Sequence, residues 1–425
     1  MYHIDRLSNG LRIATCEMPG KDSVAIGIWV KVGSRYEPFS LNGISHFVEH
    51  MLFKGTAKRT TQEIKESIEG LGGVLNAFTS EELTCYFVKI LKAHLHLTLD
   101  VLSDMIKNSM FKPEELEKER GVILEEIKMY LDLPSHHVHD LIGALLWPNQ
   151  SLGRMISGDD KTVSKLTRSD LAGYVKKYYH PRNLLISVCG DVDHDEIYSQ
   201  VDKFFPSKSG EDESVFKPAV VNQSKPKTLI VDRKTEQTHL VIGLHSYSRF
   251  HPNRYKASLL NIILGANMSS RLFEEVREKR GLAYEIRSQA GSYLDTGSFN
   301  ISAGVETKKA PVAIRVILKE LDKIRKKPVT EDELRRAKDY FMGQFYMGME
   351  DTLDHMSWMG ERVLLSGEMP GRGEIEQAVR KITCEDVLEV AREIFQSNHL
   401  NLALISSLTD KARGEIEKEF SNGLQ

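Results

Sequence analysis

Cysteine is scarce in this chain: four among 425 residues, at positions 16, 85, 189 and 384. No two are close enough to form a CxxC metal or redox pair, and such sparse use fits a reducing compartment. Long apolar runs are missing too. No window reaches the ~18 uncharged apolar residues that a membrane-crossing helix needs. The stretch Met1 to Gly20 (MYHIDRLSNGLRIATCEMPG) has no apolar segment of the secretory kind. The expectation is a cytoplasmic protein with no membrane span. Charge excess is also absent. A formal net charge of -3 gives no reason to expect nucleic acid or an anionic membrane as partner. What is present is ordinary globular composition, 41% apolar and 28% charged. At ~150 residues per domain, the length predicts two to four domains.

The clearest composition shift is Pro206 to Lys227 (PSKSGEDESVFKPAVVNQSKPK), rich in Ser, Lys, Pro and acids. It reads as an exposed linker, residues 206–227, between lobes at 1–205 and 228–425. The lobes look like diverged copies. TRSDLAGYVKKYYHPRNLLISVCGDV from Thr167 aligns without gaps on TCEDVLEVAREIFQSNHLNLALISSL from Thr383, an offset of 216. FKPEELEKER from Phe111 pairs with VTEDELRRAK from Val329 at an offset of 218. Two echoes at nearly one offset argue for duplication.

Within the first lobe, Ser23 to Val32 is β-rich and Ile44 to Phe53 reads as a helix. Glu63 to Leu71 is an amphipathic helix stopped at Gly72-Gly73. Val74 to Phe78 and Thr84 to Leu91 form a hairpin, and Leu95 to Asn108 and Pro113 to Leu131 are helical. This order predicts an α+β fold of two homologous lobes, each with helices on a mostly antiparallel sheet.

The chemistry lies in Ile44-Ser45-His46-Phe47-Val48-Glu49-His50-Met51-Leu52. His46 and His50 are one helical turn apart on one face, so both imidazoles can reach one Zn²⁺. Glu49 shares that face and can take a proton from water beside the metal. Phe47, Val48, Met51 and Leu52 point elsewhere and anchor the helix in a core. The order H-x-x-E-H is the motif of the inverted zinc peptidases. The bland reading is a buried helix with two unrelated histidines.

A catalytic zinc usually takes a third protein ligand from another element. The helix Pro113 to Leu131 offers Glu119, Glu125 and Glu126. Glu119 and Glu126 are two turns apart and share a face with Val122 and Ile123, expected to point inward; Glu125 falls on another side. A carboxylate on an apolar face needs a partner. A metal would provide one for Glu126, and Glu119 could hydrogen-bond a ligand histidine from behind.

HFVEHMLFKGT, followed 76 residues after His50 by Glu126 in ERGVILEEI, resembles the pitrilysin or insulinase family of metallopeptidases. The plan is similar to its mitochondrial processing peptidase branch and bacterial homologues, and the resemblance spans essentially the whole chain. It implies a LuxS/processing-peptidase-like metallohydrolase fold, one zinc per chain and a metalloendopeptidase of peptides. It makes Glu126 the third ligand, beside His46 and His50, and Glu119 a supporting residue. GGVLNAFT, from Gly72 to Thr79, matches the family's substrate-pairing edge strand, which places substrate at Asn76 and Ala77. In VREKRGLAYEI, Arg277 and Tyr284 match a pair the family brings to the active site from its C-terminal half. The resemblance also implies pairing of chains, as a homodimer or a heterodimer with a related chain.

The second lobe has lost the metal residues. At an offset of 216, Ile262 to Ala266 replace His46 to His50; at 218, Ala337 and Gln344 replace Glu119 and Glu126. One active site is expected. Histidines 136, 137 and 139 with Asp140 diverge on a helix and are weighed against as a metal site. Processing-type relatives read a basic residue with acids near Asp132 and Asp140, but His136 stands where an acid would help. Cys85 reads as packing rather than nucleophile. The rival readings are a catalytically silent scaffold and a hydrolase of non-peptide amides, and the donor set also suits Mn²⁺ or Co²⁺.

Overall fold

The computed structural model describes residues 2–206 and 215–424. Eleven strands are found among them. They are β1 (Tyr2–Arg6), β2 (Arg12–Glu17), β3 (Ser23–Val30), β4 (Val74–Thr79), β5 (Thr84–Leu91), β6 (Leu184–Gly190), β7 (Lys227–Asp232), β8 (Thr238–Ser246), β9 (Ala283–Ser292), β10 (Gly297–Val305) and β11 (Asn401–Ser406). The helices that matter below are α1 (Ile44–Leu52), α2 (Pro113–Asp132), α3 (Pro134–Leu146), α4 (Arg254–Leu264), α5 (Glu331–Gly348) and α6 (Thr352–Ser366).

The strands form two sheets, ordered β1-β2-β6-β3-β5-β4 and β7-β11-β8-β10-β9. Removing β1 makes the two orders superimpose. β2, β6, β3, β5 and β4 correspond to β7, β11, β8, β10 and β9. Even the single parallel pair recurs, β2 with β6 and β11 with β7, among otherwise antiparallel neighbours. The duplication suggested by the offsets is therefore a duplication of topology.

Burial follows strand position. β6 is buried throughout and β3 at all but its first residue. Both read as continuous apolar runs, as strands covered on both faces must. β4 lies at the end of its sheet and alternates exposed with half-buried residues. The helix Leu95–Asn108 packs on β3 and β5, and α6 on β3 and β6. Gly27 and Gly360 let α6 approach closely. A Cβ at Gly360 would lie 2.2 Å from the ring nitrogen of the fully buried Trp29.

The compact units are not the two sequence halves. One comprises residues 1–128, 155–217 and 345–370, the other 129–154, 218–344 and 371–425. Each half thus lends a segment to the other's sheet. Helix α3, from the first half, packs on β8 and β11, where Val138, Ile142 and Leu146 join Val241, Ala403 and Ile405 in one core. Helix α6, from the second half, covers β3 and β6. The boundaries 1–205 and 228–425 miss this exchange because local periodicity marks a helix without saying which sheet it covers. Of the linker expected at 206–227, residues 207–214 lie outside the described residues; 215–226 carry no helix or strand, and β7 begins at Lys227.

Candidate metal centre

Helix α1 is held by what it buries and by its N-terminus. Phe47, Val48, Met51 and Leu52 are all buried, as their spacing predicts, and Ile44 is buried with them. Gly43 precedes the helix at φ +93°, and a Cβ there would meet the Ser157 carbonyl oxygen at 2.6 Å. The first free N–H groups of the helix are met by Glu37, whose carboxylate accepts from Gly43 N and Ser45 N, both at 2.8 Å. An anion is favoured there by the helix dipole. Burial nonetheless pushes the Glu37 carboxyl above its ordinary pKa.

This anchoring presents His46, Glu49 and His50 together on the remaining face. His46 Nε2 lies 3.8 Å and His50 Nε2 3.6 Å from Glu126 Oε2. Donors bound tetrahedrally to zinc at 2.0–2.1 Å stand about 3.3 Å apart, so small side-chain adjustments suffice for this set. Among the described residues, His46, His50 and Glu126 are the one group of three whose donor atoms lie within 4.8 Å of one another. Burial, aided by the neighbouring His50, holds His46 down to about 3. It is therefore a neutral imidazole at physiological pH, the form that binds metal. Its Nδ1 is buried without a hydrogen-bond partner among the described residues.

His50 is oriented from behind. Glu119 Oε2 lies 3.1 Å from His50 Nδ1, and Glu119 Oε1 receives Lys54 Nζ at 2.6 Å. Such a carboxylate contact fixes the tautomer that points Nε2 at the metal position. Lys54 escaped the sequence reading; its signal was a cation four residues beyond His50. The α2 face differs from expectation at one point. Ile123 and Glu119 are buried, but Val122 is 50% exposed. Seven-residue spacing fixes the shared side of the two glutamates, not how far round the helix the core extends.

Glu49 is not one of the three grouped donors. Its Oε2 accepts a hydrogen bond from Thr79 Oγ1 at 2.5 Å. Burial raises its pKa, and the Thr79 contact and His50 oppose that rise. Thr79 ends β4, the strand carrying Asn76 and Ala77. The Ala77 N–H is taken by the Asn76 side chain at 2.8 Å instead of by β5. It therefore points to the outer edge of the sheet, where an added strand would find it. Cys85, on β5, is buried, with its thiol driven well above the ordinary range, which suits packing.

The remaining candidates lie in the second unit. Arg277 stands in a π-helical turn with its guanidinium 4.7 Å above the Phe273 ring and 5.4 Å above that of Tyr284. Tyr284 is 77% exposed. Asp132 pairs with Arg233 at 3.1 Å. Asp140 is pushed up to about 6 by burial, against the pull of His136. Ile262 and Ala337 line a cavity of about 290 Å³ in this unit, and they bring apolar side chains to it.

Two duplicated α/β units, with a His-His-Glu donor set beside an unliganded glutamate in one of them, have the form of a metallohydrolase of the inverted motif. Residues 12–160 match the family model described as insulinase (peptidase family M16), and residues 165–341 that of the peptidase M16 inactive domain. The chain belongs to the insulinase, or M16, family of peptidases. A relative from Streptomyces coelicolor, named an uncharacterized zinc protease, is 36% identical over 96% of this chain and 90% of its own length. The uncharacterized zinc protease YmxG of Bacillus subtilis is 39% identical over 94% of this chain and 96% of its own. The crystal structure of a protease from Helicobacter pylori shares the fold, with a TM-score of 0.88 and 23% identity over 96% of this chain and 99% of that one. No helix among the described residues is long and apolar enough to cross a membrane.

Proposed function

We propose that the chain is a zinc-dependent endopeptidase of unfolded or extended peptides, with His46, His50 and Glu126 as metal ligands and Glu49 as general base. The observation that carries this reading is the convergence of three donor atoms within 4.8 Å, beside a glutamate that contributes none of them. When bound, the metal supplies Lewis acidity, polarising the scissile carbonyl and easing loss of a proton from water.

The side chains supply the rest. A peptide adds as a further antiparallel strand along β4, its backbone pairing near Asn76 and Ala77. The Asn76 side chain yields the Ala77 N–H to it. Glu49 takes the proton of the attacking water on Oε1, since Oε2 is engaged by Thr79, and returns it to the leaving amine. Arg277 orients substrate carbonyls and Tyr284 hydrogen-bonds the developing oxyanion, roles that rest on the family pattern. Pairing of two chains, identical or related, has the same support.

Glu49→Gln tests the reading. The variant should keep stoichiometric zinc and lose cleavage of an unstructured peptide library, whereas chelator should abolish cleavage by the unaltered chain. A zinc-loaded wild type that cuts no peptide overturns the proposal, and a scaffold role, or one on small amides run in the same panel, takes its place.

A further inference from the structure

We propose that Thr79 is the positioning residue that aims the Glu49 carboxylate, coupling the base to the outer strand that receives substrate. The inference deepens the peptidase reading above and rests on it.

Three observations carry it. The contact is short: Thr79 Oγ1 lies 2.5 Å from Glu49 Oε2, the separation of a charge-assisted O–H···O⁻ bond. Its direction follows from distance, because the rival acceptor on the hairpin, Thr84, is farther away. Thr79 sits opposite Thr84 in the hairpin register, and the two hydroxyls are 3.4 Å apart. Thr84 Oγ1 donates its one proton to the Val32 carbonyl at 2.9 Å. It can therefore only accept from Thr79, at 3.4 Å, and the Thr79 proton goes instead to the far closer Glu49 carboxylate oxygen at 2.5 Å. Finally, Thr79 is the last residue of β4, which ends its sheet and, among the described residues, pairs only with β5. Its side chain lies on the same strand face as Ala77 and Leu75, two and four residues back.

The consequence is mechanical. A helical glutamate reaches the metal position on three rotatable bonds, and the hydrogen bond that holds its far end comes from β4, not from α1. The hydroxyl pins one carboxylate oxygen and leaves the other, Oε1, turned to where water must be deprotonated. Because the pin is planted in β4, a peptide that lengthens the sheet along that strand also stiffens the pin's footing. Occupancy of the edge and orientation of the base become one event.

The test uses the full zinc-loaded chain and an internally quenched unstructured peptide. Thr79→Val removes the hydroxyl at nearly constant shape and β propensity. We expect kcat to fall about tenfold or more, a fraction of what a general base contributes. KM should stay within about twofold, and zinc content should be unchanged. Thr79→Ser should recover most of kcat, because it restores the donor. Peptide affinity, measured by fluorescence anisotropy in a Glu49→Gln background, should be the same with Thr or Val at 79. The proposal is overturned if Glu49→Gln is inactive while Thr79→Val turns over at the wild-type rate. It is also overturned if the loss lies wholly in KM, or if Ser fails to rescue a Val variant that still binds zinc and peptide. Retained turnover in Glu49→Gln alone would instead remove the general-base assignment beneath it, and a zinc-loaded wild type that cuts no peptide would remove the peptidase reading itself.

Discussion

Lys54 Nζ meets Glu119 at 2.6 Å while the other oxygen of the same carboxylate holds His50 Nδ1 at 3.1 Å. Glu119 is buried, and an ionised carboxylate survives there only with partners. Its pKa lies below the ordinary range because the contacts with His50 and Lys54 outweigh the cost of burial. The carboxylate is thus charged when it braces the imidazole. Glu119→Gln should leave the fold intact and weaken zinc binding by about tenfold to a hundredfold, the usual cost of losing such support. Competition with a chromogenic chelator measures this directly. Unchanged affinity would mean that His50 is oriented by packing alone.

How much of this centre was legible follows from how local each signal is. His46, Glu49 and His50 are read from spacing alone, because a helix converts four residues into one turn. The hairpin of β4 and β5, and helix α2 with its first-turn proline, needed no tertiary information. Glu126 required the family pattern, since three glutamates on one helix compete and periodicity cannot rank them. Glu37, Lys54 and Thr79 were missed for a shared reason. Each acts on a partner across a loop or in another element, so spacing alone assigns it no role. Glu37 reaches α1 through the turn before it, Lys54 lies just past the helix end, and Thr79 belongs to a strand. The helix exchange was hidden likewise, as α3 and α6 are amphipathic whichever sheet they cover.

Asp140 gives a pH-dependent prediction. Its carboxyl rises to about 6 in the folded chain through burial, against about 3.9 when unfolded. The acid is stabilised in its protonated form. Its favourable contribution is complete below the unfolded value and is lost as pH rises through the folded one. Asp140→Asn, neutral at every pH, should therefore unfold at a higher urea midpoint than wild type at pH 7.5, by about 1 to 2 kcal/mol after allowance for its partial exposure. At pH 3 the two should coincide. A difference of equal size at both values would trace the effect to hydrogen bonding instead of ionisation.

The close approach of α6 to β3 gives the last prediction. Gly360 lies on a helix contributed by the second half of the chain, directly over Trp29 in the first sheet. A methyl group there would fall 2.2–2.5 Å from three atoms of the indole ring. Trp29 cannot yield easily, because it is fully buried and its Nε1 donates to Ser187 Oγ at 2.7 Å. Alanine normally stabilises a helix relative to glycine by ~1 kcal/mol, so propensity and packing pull in opposite directions. Overpacking of a rigid ring costs about 1–3 kcal/mol, and it should win. Gly360→Ala is expected to lower the thermal midpoint. Gly373→Ala, at an exposed position of the helix Arg372–Arg380 where an added methyl would meet nothing within 4 Å, should raise it or leave it unchanged. If both variants gained stability, α6 would have room to move away from β3, and the exchanged helix would be a looser cover than its packing indicates.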